Sequence, residues 1–90
     1  MEREEIESII RPLLWDYEVD PWMVYTKIKD PSFEFRREDF FCRLFLRMLE
    51  RLNWYDLLQL FGAEWLSVHL TDEVLRMLRS EELKERYARI

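Results

Sequence analysis

Residues 36–52 carry the longest amphipathic pattern in the chain, and this pattern limits the fold more than any other feature. Its apolar side chains recur at the three- and four-residue spacing that places them on one face of an α-helix. Phe40 and Leu46 widen that face to more than half of the helix circumference. A helix so widely apolar must be covered by neighbours on several sides. The segment therefore predicts a central helix with an apolar stripe of Phe41, Leu44, Phe45, Met48, Leu49 and Leu52.

Helix caps and breaks divide the rest of the chain into short segments. Pro12 lacks a backbone N–H, so a first helix from Glu2 to Ile10 is expected to end before it. Asp20 can cap a helix that Pro21 begins, and this helix is expected to end near Ile28. The same reasoning predicts helices over 54–61, 63–70, 72–79 and 81–90, with caps at Asn53, Thr71 and Ser80 and a left-handed stop at Gly62.

The scarcity of turn residues favours helices over a sheet. The 90 residues include one glycine and three prolines, too few for a series of hairpins. We therefore expect an all-α fold, a compact cluster of about six or seven mostly short helices around the central helix of residues 36–52. Residues 1–90 are expected to form a single domain, with an acidic N-terminal portion at 1–35 and a helical core portion at 36–90.

The formal charge of −5 is unevenly distributed. Residues 1–35 hold nine acidic and four basic residues, whereas residues 36–90 hold ten of each. An acidic surface repels a phosphate backbone, so nucleic acid is not the expected partner. The polar, acidic N-terminus, the single cysteine and the lack of a long apolar run predict a cytoplasmic protein that does not enter a membrane.

Residue types suited to catalysis or metal binding occur without a recognisable arrangement. His69 is the only histidine, and Cys42 lies on the apolar central helix, where a thiol usually packs as a small hydrophobic group. Asp16, Glu18 and Asp20 alternate as in a calcium loop, but proline replaces the glycine that such a loop requires. We therefore expect no catalytic residue, no cofactor and no metal, and hence a protein that is not an enzyme.

Four tryptophans are the least ordinary feature of the composition. So many indoles are difficult to bury in a small domain, and an exposed tryptophan is a favoured anchor in protein interfaces. An exposed Trp15 or Trp22, beside acidic Glu18 and Asp20, would suit a partner protein with a basic surface. The leading expectation is a protein-protein interaction module or adaptor. The oligomeric state stays open, and a homo-oligomer is compatible with this expectation.

A basic ridge provides the alternative interpretation. Arg36, Arg43, Arg47 and Arg51 could contact phosphates and make the protein a nucleic-acid-associated regulator. Asp39 and Glu50 interrupt this ridge, which favours an ion-paired surface instead. A small enzyme of unknown reaction is the second alternative.

Several short motifs carry a resemblance to known proteins. They are Leu14-Trp15-Asp16, Asp20-Pro21, Trp54-Tyr55-Asp56-Leu57 and Gly62. With them the chain resembles a group of small uncharacterised bacterial all-helical proteins that share a Leu-Trp-Asp start, an Asp-Pro pair and a Trp-x-Asp-Leu segment leading to glycine. Members of such groups often accompany nucleotidyltransferase-type toxins, so the resemblance implies an antitoxin-like partner role.

Overall fold

Seven α-helices and one 3₁₀ helix make up the fold of the described residues. The computed structural model describes residues 1–78 and 81–88, apart from the side chains of residues 83, 86 and 88. No strand occurs within these ranges. The helices are α1 (Arg3–Ile10), the 3₁₀ helix (Arg11–Leu14), α2 (Pro21–Lys29), α3 (Phe40–Arg51), α4 (Trp54–Phe61), α5 (Ala63–His69), α6 (Asp72–Arg76) and α7 (Glu81–Ala88). The expected all-α cluster is therefore confirmed.

The longest helix, α3, lies at the centre of the core. Five of its side chains are at most 2% exposed: Cys42, Leu44, Phe45, Met48 and Leu49. The Phe45 ring meets three other aromatic rings edge-on or tilted, with centroid distances of 5.0 Å to Phe35, 5.6 Å to Phe61 and 5.7 Å to Trp65. Such contacts add to the burial energy of the rings and join α3 to α4 and α5.

Two buried tyrosines tie distant helices to the core. The Tyr25 hydroxyl on α2 donates a hydrogen bond of 2.5 Å to the carbonyl oxygen of Leu60 on α4. The Tyr87 hydroxyl on α7 donates to the carbonyl oxygen of Leu49 on α3. Each tyrosine can thereby bury its ring in the core while its hydroxyl keeps a hydrogen-bond partner.

The predicted helix starts at Asp20, Asn53 and Thr71 are confirmed, since each side chain accepts a backbone N–H bond from the following helix. The central helix begins later than predicted, at Phe40. The Asp39 carboxylate accepts N–H bonds from Phe41 and Cys42 and so caps the helix, which leaves residues 36–39 outside it. The helix predicted over 72–79 is shorter than expected: α6 ends at Arg76, with Met77 as its C-cap. The predicted cap at Ser80 and the predicted helix end at Ile90 lie outside the described residues.

Gly62 has the positive φ that its position predicts, with φ 85° and ψ 150°. This ψ differs from the left-handed helical value that was expected. At this one residue α4 ends and α5 begins. Among the described helices, none has the length and apolarity that a bilayer crossing requires.

Candidate functional site

Trp15 is the most exposed large hydrophobic side chain of the described residues, with 75% of its surface accessible. It directly follows the 3₁₀ helix, whose Leu13 and Leu14 are buried in the core. The Tyr17 N–H donates to the Leu14 carbonyl oxygen at 2.9 Å and closes a turn around Trp15 and Asp16. We call the segment from Trp15 to Tyr17 the Trp15 turn. It presents an indole to solvent from an anchored backbone.

Arg47 on α3 holds this turn through three hydrogen bonds, which we call the Arg47 clamp. Its Nη1 donates to Asp16 Oδ1 at 2.6 Å, and its Nη2 donates to Asp16 Oδ2 at 3.1 Å. Nη1 also donates to the Leu13 carbonyl oxygen at 2.8 Å. The paired geometry of guanidinium and carboxylate fixes orientation as well as distance. The clamp therefore attaches the acidic N-terminal portion directly to the central helix.

The clamp also changes the acidity of both of its side chains. The hydrogen bonds from Arg47 lower the pKa of Asp16 below its ordinary value, and partial desolvation acts against this effect. The same hydrogen bonds raise the pKa of Arg47. Both groups therefore stay ionised near neutral pH, and the clamp keeps its charge-assisted hydrogen bonds there.

Tyr17 secures the other side of the Trp15 turn. Its ring meets Phe40 edge-to-face with centroids 5.0 Å apart, and the Arg47 guanidinium lies 5.5 Å from the Tyr17 centroid. Part of Tyr17 remains accessible, so it extends the exposed aromatic surface next to Trp15. The turn is thus held by polar contacts on Asp16 and by aromatic contacts on Tyr17, while Trp15 points into solvent.

The other predicted partner-binding residues have different surroundings. Trp22 is half-buried, with its ring tilted against Tyr25 at 5.6 Å and the Arg3 guanidinium 4.9 Å from its centroid. The Asp20 carboxylate accepts the Trp22 N–H at 3.3 Å, so it caps α2. Glu18 is exposed. Trp15, Glu18 and Asp20 are therefore exposed, although Asp20 also caps α2, and Trp22 packs against Tyr25.

The predicted arginine ridge is divided between different contacts. Arg36 pairs with Glu34 on the preceding loop. Arg47 belongs to the clamp, and only Arg43 and Arg51 of the four predicted residues remain exposed without an ion pair to the described part of the chain. Of the four arginines in the alternative interpretation, only these two thus remain exposed without an ion pair to the described residues.

Two further arginines that sequence reasoning missed lie near these two. Arg37 and Arg76 line the same surface groove of about 510 Å³ as Arg43 and Arg51. Arg37 could have been included because it adjoins Arg36. Arg76 lies on α6, and no spacing in the sequence relates it to α3. We call this depression the arginine groove.

His69 and Cys42 occupy structural positions. The His69 Nδ1 lies 2.8 Å from the Trp65 carbonyl oxygen, which can only accept, so this nitrogen carries a proton. The imidazole also stacks on Trp65 with centroids 4.0 Å apart. Burial, with smaller effects of Asp39 and Glu38, raises the pKa of the Cys42 thiol to about 11. These contacts favour packing roles for both side chains.

The alternating carboxylates do not form a joint site. Asp16 pairs with Arg47 and Asp20 caps α2, so two of the three carboxylates already have other partners. Across residues 1–78 and 81–88, no group of three or more side chains of the metal-binding types is suitably placed for a metal ion. Comparison with protein-family models, curated proteins and solved structures finds no match to this chain.

Proposed function

We propose that this protein is a non-enzymatic interaction module that binds another protein through the Trp15 turn. The observation that carries this proposal is the 75% exposure of Trp15 on a backbone held by the Arg47 clamp. An exposed indole costs solvation free energy in the isolated protein, and burial against a partner would recover it. Tryptophan is also among the residues most often found to dominate the energy of an interface.

The fixed backbone supports the same role. Binding by a mobile loop requires its residues to lose conformational freedom, which weakens the complex. In the Trp15 turn the hydrogen bonds to Asp16 and Leu13 and the Tyr17 contact with Phe40 already restrict the chain. The backbone of the turn therefore has little conformational freedom left to lose when a partner binds.

Charge indicates the kind of partner. Glu18 and Asp20 are exposed close to Trp15 in sequence, within a 35-residue portion that carries nine acidic and four basic residues. Such a surface attracts a protein with a basic face and accelerates their encounter. The proposed partner is a basic bacterial protein in the cytoplasm. The phosphate-binding face of a toxin would meet this description and agree with the antitoxin-like role that the resemblance implies.

Affinity capture with matched aromatic variants tests this function. Trp15→Ala removes the proposed anchor, whereas Tyr55→Ala removes an aromatic side chain that is also highly exposed (68%) but lies on α4. We expect a specific partner to be retained by the native protein and by Tyr55→Ala, and to be lost with Trp15→Ala. Loss of one anchor of this kind weakens binding by about 2 kcal/mol or more, or roughly thirtyfold.

A charge-reversal variant provides a second test of partner binding. Glu18→Lys should weaken the same complex, chiefly by slowing association at low salt. Circular dichroism of each variant establishes that the helices are intact. Equal recovery of the same partner with Trp15→Ala and Tyr55→Ala would show that the Trp15 turn is not the interface. Trp22→Ala is a poorer test, because Trp22 packs against Tyr25 and its loss would also affect stability.

A further inference from the structure

The arginine groove lies between α3 and the end of α6. Five of its residues lie on one face of α3, at intervals of three and four positions, and three come from the segment 76–78. Arg37 closes the end near the start of α3. The α3 residues are Arg43, Leu46, Arg47, Glu50 and Arg51.

The groove has a strong excess of positive charge. Five arginines line it, against the single acidic residue Glu50, which already has an interaction of its own. Four of the five are exposed, and no carboxylate of residues 1–78 or 81–88 forms an ion pair with them: Arg37, Arg43, Arg51 and Arg76. In a chain with a net charge of −5, such a concentration of unpaired guanidinium groups requires an explanation.

We propose that the arginine groove binds a compact, multiply phosphorylated ligand of nucleotide size. Guanidinium groups bind phosphate oxygens through paired, charge-assisted hydrogen bonds. Four guanidiniums without an ion pair to the described residues exceed what one carboxylate or one monophosphate can satisfy, whereas a chain of two or three phosphates offers enough oxygens. The volume of about 510 Å³ is within the range of small-molecule sites.

The walls of the groove also fit a ligand with an organic part. Leu46 and Met77 are half-buried and line it together with the arginines. These side chains offer an apolar surface for a ring next to the phosphates. A duplex is less well matched, because Arg36 and Arg47 have other partners. The remaining arginines come from α3, from α6 and from the segment before α3 instead of from one long line along α3.

The arginine groove adjoins the Trp15 turn, because Arg47 lines the groove and also clamps Asp16. Binding of a phosphorylated ligand can nevertheless be measured without the partner protein. Isothermal titration calorimetry with the full chain would use inorganic tripolyphosphate and ATP, each without added metal and at low and moderate salt. We expect both to bind, with lower affinity at the higher salt. Tighter binding of ATP than of tripolyphosphate would place the ring against Leu46 and Met77, and equal binding would restrict recognition to the phosphates.

Two double variants that remove the same charge provide the comparison. Arg43→Gln with Arg76→Gln removes groove residues on two helices, whereas Arg11→Gln with Arg36→Gln removes two exposed arginines outside the lining. We expect the dissociation constant to rise by at least about tenfold in the groove variant and by less than about twofold in the control. Thermal melts verify that both double variants are folded. If the Arg43→Gln, Arg76→Gln double variant does not fold, the single variant Arg51→Gln replaces it.

Three outcomes would overturn the proposal. The first is that neither tripolyphosphate nor ATP binds the native chain at millimolar concentration. The second is an equal loss of affinity in the groove and control doubles, which would reflect general charge attraction. The third is tighter binding of a short DNA duplex than of ATP, measured by fluorescence anisotropy under the same salt, which would assign the arginines to nucleic acid. None of these results would bear on partner binding through Trp15.

Discussion

Cys42 shows how its surroundings decide what a reactive residue type can do. Its side chain is fully buried on α3, and its Sγ lies 3.8 Å from the Met77 Sδ. Burial disfavours the thiolate, and the nearby carboxylates Asp39 and Glu38 disfavour it further. A position near a helix start beside Arg43 can instead lower a thiol pKa. Here burial has the larger effect, in agreement with the packing role predicted from the apolar helix.

Cys42 is therefore expected to resist alkylation in the folded protein. A rise of its pKa from 9.0 to about 11 lowers the thiolate fraction at about pH 8 by roughly a hundredfold, and burial also blocks access. Native protein should react with a maleimide at least about a hundredfold more slowly than protein unfolded in guanidinium chloride. Comparable rates in the two states, followed by mass spectrometry, would contradict this assignment.

At the level of single helices, capping residues determine where elements begin. Asp20, Asn53 and Thr71 each accept an N–H bond from the first turn that follows, and each was identifiable from the sequence. The predicted start of α3, at residue 36, was wrong for a specific reason. The charged residues 36–38 fit the polar face of a longer helix, so the periodic pattern extended past the cap. Asp39 directly before the apolar pair Phe40-Phe41 was the local signal that identifies the true start.

Gly62 joins two of these helices, and its backbone limits what can replace it. The combination of φ 85° and ψ 150° is essentially restricted to glycine, although a Cβ there would have no atom within 4 Å. Gly62→Ala should therefore lower the free energy of unfolding by about 1–3 kcal/mol through backbone strain alone. Urea denaturation measures the change. The exposed Gln59→Ala on α4 is the control and should alter stability by less than about 0.5 kcal/mol. A Gly62→Ala protein as stable as the native one would show that the junction relaxes without strain.

At the scale of the whole molecule, both the Trp15 turn and the arginine groove depend on contacts between segments that are distant in sequence. Periodicity and caps predicted the helical cluster and its central helix, because those signals are local. They could not determine which tryptophan would be exposed, since that depends on which neighbours the folded chain supplies. The Arg47 clamp joins residues 31 positions apart, and Arg76 reaches the groove from a different helix. Arg47 was predicted as a phosphate contact because its partner Asp16 could not be known from spacing.

The clamp makes the attachment of the acidic N-terminal portion dependent on pH. Asp16 has a lowered pKa in the folded protein, so its ionised form stabilises the fold at every pH above its ordinary value of 3.8. This contribution is lost as the pH falls through the lower value that Asp16 has when folded. As the pH falls, Asp16 is protonated in the unfolded chain before it is protonated in the folded protein, so the folding equilibrium shifts toward the unfolded state. The clamp should therefore weaken only at a pH below the usual range of carboxylate pKa values.

Asp16→Asn separates this charge effect from the general acid sensitivity of the protein. Near neutral pH the variant should melt at a lower temperature than the native protein, because Arg47 loses its ionised partner. The difference should narrow as the pH falls below 3.8 and disappear once the native Asp16 is protonated. Glu18→Gln, which changes an exposed carboxylate in the same segment, should melt close to the native protein throughout. Thermal melts by circular dichroism across this pH series provide the measurement. A difference between Asp16→Asn and native protein that stays constant with pH would mean that the turn is held by its shape and not by charge.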